Sequence, residues 1–208
     1  DDDDDDDDDD EGDDEGDAVE VGFKGGLAGI DIFHANTVDV VGQGLKGRWK
    51  EGDLLTSFRS LDTVAVFDRD SGELRWHWGA GVVDGQHDPS LLDNGHMLIF
   101  DNGVRHRRSR VVEVDPKKGE IVWEYDGGED NRFYTDIRGL AQRLDNDDLL
   151  ITVSQKARAF EIQRDGTIVW DYYTTDVLKN HRIPFRVFRL QGKTLELVQE
   201  QLQREATP

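Results

Sequence analysis

From about residue 34 to residue 173 the chain is written in short runs that alternate apolar and polar positions. Asp, Asn and Gly punctuate them. Alternation with a period of two, bounded by turn residues, predicts β-strands with one buried and one solvated face. Twelve such runs fall into three rows of four. The first row reads HANTVDVV (34–41), GDLLTSFRS (52–60), LDTVAVFDRD (61–70) and ELRWHWG (73–79). The second reads HDPSLL (87–92), HMLIFDN (96–102), SRVVEVDP (109–116) and EIVWEYD (120–126). The third reads GLAQRL (139–144), DLLITVS (148–154), ARAFEIQ (157–163) and TIVWDYY (167–173). A fourth, partial row begins at HRIPFRVFRLQG (181–192) and runs into a Gln/Glu-rich tail.

The rows repeat in register. Trp76, Trp123 and Trp170 are spaced 47 residues apart, and Gly72, Gly119 and Gly166 keep the same interval. A strand-rich repeat of 40 to 50 residues predicts an all-β β-propeller of four-stranded antiparallel blades. About three and a half blades are present. They do not close a ring, so the remaining blades are expected from the parent chain or from further copies. Strict alternation predicts that Ile121, Trp123 and Tyr125 share one face, as do Ile168, Trp170 and Tyr172. The recurrent Trp is then expected as a wedge between blades, with stacking on a ligand as the alternative.

Composition changes this picture in one place. Of a net charge of −21, −15 falls in residues 1–17, which leaves −6 for the rest. Residues 1–26 therefore read as an acidic leader kept disordered by self-repulsion, without the ligand spacing of an EF-hand. Residues 27–192 read as the propeller and 193–208 as a polar tail. The mild acidity of the remainder disfavours nucleic acid. With no cysteine, thiolate metal sites, disulfides and Cys nucleophiles are excluded. No apolar run reaches the ~20 residues of a membrane span. The chain opens on Asp with no signal peptide, and reads as a piece of a longer one.

In a propeller the first strand of each blade lines the central channel. Aligning the rows puts His34, His87 and Gly139 at equivalent positions there. Two histidines so placed are either site residues or strand-end packing. Arg59 ends the second run of row one. Arg105 lies in a basic insertion, GVRHRR, that makes row two five residues longer than row three. Guanidinium forks suit sulfate, phosphate or carboxylate oxygens. A solvated loop is the alternative for Arg107 and Arg108, and Arg105 is better placed to reach the channel. His77, His96, His106 and His181 have no evident chemical partner, and Tyr134, Asp136 and Arg138 (FYTDIRG) edge the same channel.

DIFHANTVDV, GQHDPSLLDNGHMLIFDNG, SRVVEVDPKKGEIVWEY, GLAQRLDNDDLLITVS and FEIQRDGTIVWDY together resemble the arylsulfotransferase family of six-bladed propellers, over residues 30 to about 190. The HxN at His34–Asn36 and the QH at Gln86–His87 carry most of the specificity. The resemblance implies sulfuryl transfer between phenolic compounds, without a nucleotide or any other cofactor, through a sulfohistidine. It implies His34 and His87 as catalytic channel histidines, and Asn36, Arg59 and Arg105 as ligands of the aryl sulfate or phenol. It also implies an extracytoplasmic address. The family's sulfate-accepting histidine is a further channel His without a counterpart here: Gly139 occupies the aligned slot of the next blade, and His181 one row later does not fit the pattern. Two functions are therefore open, a transferase and a non-catalytic module binding an anionic or aromatic ligand.

Overall fold

The computed structural model describes residues 31–174 and 184–206. The acidic leader, His181 and the first residues of the partial fourth row lie outside them. The chain divides into two units, 1–30 and 31–208, and the description concerns the second.

All twelve predicted strands form. Blade 1 is β1 (Ala35–Val40), β2 (Leu54–Phe58), β3 (Thr63–Phe67) and β4 (Leu74–Trp78). Blade 2 is β5 (His87–Leu91), β6 (Met97–Asp101), β7 (Arg110–Asp115) and β8 (Glu120–Tyr125). Blade 3 is β9 (Leu140–Arg143), β10 (Leu149–Val153), β11 (Arg158–Ile162) and β12 (Ile168–Tyr173). Each blade is a four-stranded sheet paired antiparallel in chain order. Every connection is therefore a hairpin or a step to the next blade, as a propeller requires.

The alternation fails in one informative place. A register shift in β8 pairs Glu113 with Trp123 but Val114 with Ile121, and the outer strands β4 and β12 carry the same irregularity. An extra residue in a strand reverses the face of everything beyond it. Ile121 therefore packs with blade 1, against Val64, Val66 and Trp76, whereas Trp123 and Tyr125 turn to blade 3. The expectation that these three residues share a face is corrected. One outer strand feeds both of its neighbouring junctions.

The wedge role of tryptophan holds at the first two junctions. Trp76 is buried in the blade 1–blade 2 core, edge-on to Trp49 at 5.5 Å. Trp78 and Trp123 donate their indole N–H groups to Gly119 O (2.9 Å) and Arg164 O (3.1 Å) in the outer hairpins of the following blades. At the edge of blade 3, Trp170 and Tyr172 stack on one another 5.7 Å apart and stay partly exposed.

Residues 184–191 form no strand, yet they lie along blade 3 as an inner strand would. Val187 exchanges two 3.1 Å bonds with the Thr152 hydroxyl, and Gln142 bonds both backbone groups of Arg189. Arg189 pairs with Glu161 as Arg143 of blade 3 pairs with Glu113 of blade 2. Within the segment expected as a polar tail, the chain forms helix α1 (Gly192–Ala206). Its signal is the i, i+3, i+7 spacing of Leu195, Val198 and Leu202 among strong helix formers. No helix among the described residues is long and apolar enough to cross a membrane.

Candidate functional site

Antiparallel register decides which side chains meet at the inner strands. The start of a first strand lies opposite the end of the second: Ala35 faces Phe58, and His87 faces Phe100. His34, immediately before β1, therefore meets the 3-10 turn Arg59–Leu61, and Arg59 N–H donates to His34 O at 3.0 Å. His87 opens β5 and meets Asn102, which follows β6. The predicted equivalence holds to within one residue, because His34 and Gly139 precede their strands while His87 begins one.

His87 is 8% exposed and bonded at both ring nitrogens. Asn102 Nδ2 donates to Thr135 O (2.9 Å) and Arg138 O (2.8 Å), so its Oδ1 is left to accept. It takes the proton of His87 Nδ1 at 2.8 Å, with Gly85 O at 3.0 Å as a second acceptor. His87 Nε2 then accepts the Arg138 N–H at 3.2 Å. Burial pushes the pKa of His87 down. The Asn102 and Gly85 bonds oppose it, while the nearby positive charges of Arg59 and His34 add to it. His87 is a neutral imidazole with a fixed tautomer and no spare lone pair.

His34 is its opposite. Its side chain is about half exposed, and Nδ1 sits 3.0 Å from Asp31 Oδ2. The other oxygen of Asp31 accepts the His34 backbone N–H at 2.6 Å, which holds the residue in the left-handed region at φ 46°. Among the described residues His34 Nε2 has no partner. A carboxylate behind Nδ1–H fixes the tautomer and the ring orientation, and leaves the lone pair on Nε2.

The other predicted residues divide. Arg59 lies beside the two histidines, and its Nη2 donates to Asp136 O at 3.1 Å, leaving its remaining donors uncommitted. Asn36 gives its Nδ2 to Gln86 O at 2.8 Å, which leaves Oδ1 buried without a donor, as are Gln86 Oε1 and Asp136 Oδ1. Arg105 is 60% exposed, paired with Asp62 and 3.7 Å from Asp84, so its charge is already answered by two carboxylates. At Gly139 the backbone runs against Phe100, and a Cβ there would lie 2.5 Å from the ring. Residue-by-residue reading of the sequence placed Arg138 at the edge of the channel but missed Asp31 and Asn102. Only DNG after β6 and the D-x-x-H at Asp31–His34 carried any signal for them. No three of His, Cys, Asp or Glu gather as a metal site would need, among the described residues.

Three four-stranded antiparallel blades, with His34 and His87 at the starts of two inner strands, define a propeller-type fold. Residues 27–175 match the arylsulfotransferase (ASST) family, and the chain belongs to it. No curated protein matches the chain. Among solved structures it is similar to a protein of unknown function from Bacteroides caccae (18% identity, TM-score 0.48), over 69% of this chain and 47% of that one. It is also similar to a streptogramin B lyase (15%, 0.47), over 71% and 43%. A virginiamycin B lyase from Staphylococcus aureus (17%, 0.45) is matched over 68% and 41%. The chain thus spans less than half the length of each.

Proposed function

We propose that the protein transfers a sulfuryl group from an aryl sulfate to a phenol, with His34 carrying the group between two half-reactions. The observation behind this reading is the Asp31–His34 pair, whose Nε2 has no partner among the described residues and whose backbone carbonyl accepts the Arg59 N–H. In the first half, His34 Nε2 attacks sulfur. The N–S bond forms, the bond from sulfur to the aryl oxygen breaks, and the phenolate leaves with that electron pair and takes a proton from water. Asp31 offsets the positive charge that develops on the imidazole, and Arg59 meets the sulfate oxygens. In the second half, the acceptor phenol attacks sulfur and gives up its proton to water, and the N–S electron pair returns to Nε2. His87 acts in this reading as a neutral, positioning wall, and Arg105 as a brace for the loop that carries it.

One observation favours binding without turnover. His87 has both nitrogens engaged, and Phe100 closes the Gly139 slot to any side chain. The two readings part in one experiment on the full-length protein: turnover of a chromogenic aryl sulfate with and without a phenol acceptor, with mass spectrometry of the His34 peptide. Acceptor-dependent release and a sulfuryl adduct on His34, both abolished by His34→Ala, support the transferase. A folded protein that binds the aryl sulfate but forms no adduct refutes it and leaves the binding module.

A further inference from the structure

The basic insertion of row two has no part in the reaction above, and the fold gives it company. The β6–β7 loop brings His106, Arg107 and Arg108 to the junction of blades 2 and 3. The β8–β9 loop brings Arg132, Phe133 and Tyr134, and the β10–β11 hairpin brings Lys156 and Arg158. With Tyr173 at the end of β12 they line a cleft of about 680 Å³, a size suited to a small organic molecule. No acidic residue lines it, although the chain holds 46 acids against 25 bases.

Charge in the cleft is only partly answered. Arg108 pairs with Asp126, and Arg158 lies 2.8 Å from Asp171. Among the described residues no carboxylate pairs with Arg107, Arg132 or Lys156. Arg108 Nε is buried and has no partner at all. Cations held this close repel one another, so the arrangement works against stability unless an anion joins it. The loop that presents them is also built tightly. Arg108 N–H bonds Gly103 O at 3.2 Å, and a Cβ on Gly103 would lie 1.9 Å from Arg108 O, so only glycine permits this close approach. Arg107 itself is held at φ 53°.

The cleft has aromatic walls as well. Arg107 lies over the Tyr134 ring at 5.4 Å, Arg158 lies 5.5 Å from the Tyr173 ring, and buried Phe133 adds a third ring. Planar rings beside uncompensated guanidinium and ammonium groups recognise a molecule with an aromatic body and an oxyanion head. None of these residues belongs to the His34, Arg59 and His87 cluster. We propose that the cleft between blades 2 and 3 is a second binding site, for an aromatic oxyanion, independent of the inner-strand histidines.

The test is calorimetric titration of the 208-residue chain with 2-naphthalenesulfonate, its uncharged analogue 2-naphthol, and inorganic sulfate. The sulfonate is expected to bind at least tenfold more tightly than either partial probe, with affinity that falls as salt is raised. Arg107→Gln combined with Lys156→Gln should weaken it at least tenfold. Both residues are exposed and make no ion pair among the described residues, so the fold survives their loss, as an unchanged melting temperature checks. In the Arg59→Gln and His87→Gln backgrounds, which remove any binding of the sulfonate at the inner strands, binding at the cleft should persist and stay sensitive to the double substitution. Three results each overturn the proposal: no binding to the wild-type chain, binding indifferent to the double substitution, or binding lost in the inner-strand variants instead. Sulfate binding as tightly as the sulfonate overturns the aromatic part of the assignment.

Discussion

Gly139→Ala tests the claim that the blade 3 slot is closed, and its cost can be worked from the structure. Gly139 has φ 102°, a conformation that L residues avoid at about 1–3 kcal/mol. An added Cβ would stand 2.5, 2.7 and 2.8 Å from three atoms of the Phe100 ring, which is fully buried. The ring cannot withdraw freely, because Phe133 packs against it with centroids 6.2 Å apart. Overpacking of this kind costs about 1–3 kcal/mol. The two contributions together reach about 2–6 kcal/mol, a large share of the roughly 5–15 kcal/mol that holds a domain together. At about 2–4 °C per kcal/mol for a chain of this size, the melting temperature should drop by several degrees or more. Urea unfolding followed by tryptophan fluorescence measures the loss. Adding Phe100→Leu should return the steric part and leave the backbone part, giving a double-mutant coupling of about 1 kcal/mol or more. A loss below about 1 kcal/mol, or strictly additive variants, would refute the reasoning. The same geometry predicts that Gly139→His does not supply a further channel histidine.

Three other consequences are equally direct. Burial raises the pKa of Asp88 to about 6, with Arg186 at 3.0 Å opposing the rise and Asp39 adding to it. The folded state thus binds a proton that the unfolded chain releases near 3.9, so ionised Asp88 is penalised above pH 6. Asp88→Asn should stabilise the protein by about 1–2 kcal/mol at pH 8, an advantage that shrinks as pH falls through 6 and is gone below 4; a loss of stability at pH 8 would mean that the Arg186 pair outweighs burial. Glu113 joins His96 (2.7 Å), Arg143 (3.1 Å) and Arg164, and burial opposes its charge, but these bonds prevail and hold its carboxyl below the usual range. Glu113→Gln leaves Arg164 without a counter-charge and Arg143 with only the exposed Asp147 at 3.3 Å, and should cost about 1–3 kcal/mol in denaturant unfolding. His87 should titrate below the ordinary histidine value of about 6.5 by NMR, and lower still in Asn102→Leu, because the Asn102 bond favours the protonated ring. A normal midpoint for His87 would show that the ring is not held as described.

Strand order, blade boundaries and the 47-residue repeat were legible because they rest on local properties. Alternation and turn residues act over a few positions, and all twelve predicted runs became strands. The family and the inner-strand histidines were legible for the same reason, through short contiguous motifs such as HAN and QHD. The faces of the outer strands were not. A bulge depends on how β7 and β8 slide past each other, and EIVWEYD reads as plain alternation whether or not it carries one.

The site divides along the same line. Sequence alone determined that His34, Asn36 and His87 would stand at the starts of inner strands and Arg59 at the end of the second strand of blade 1, because position in a repeat is a one-dimensional property. Only the tertiary structure decided what each can do there. His34 and His87 look alike in the sequence, yet one has an open Nε2 backed by Asp31 and the other has both nitrogens bonded, through Asn102, Gly85 and a backbone N–H from the next blade. Arg105 and Arg107 are two residues apart, yet one is answered by two carboxylates and the other stands over Tyr134 in a cleft of cations. Apart from Asp31 and Gly85, these partners come from residues 15 to 51 positions away, and which of them arrive is fixed by how the blades pack.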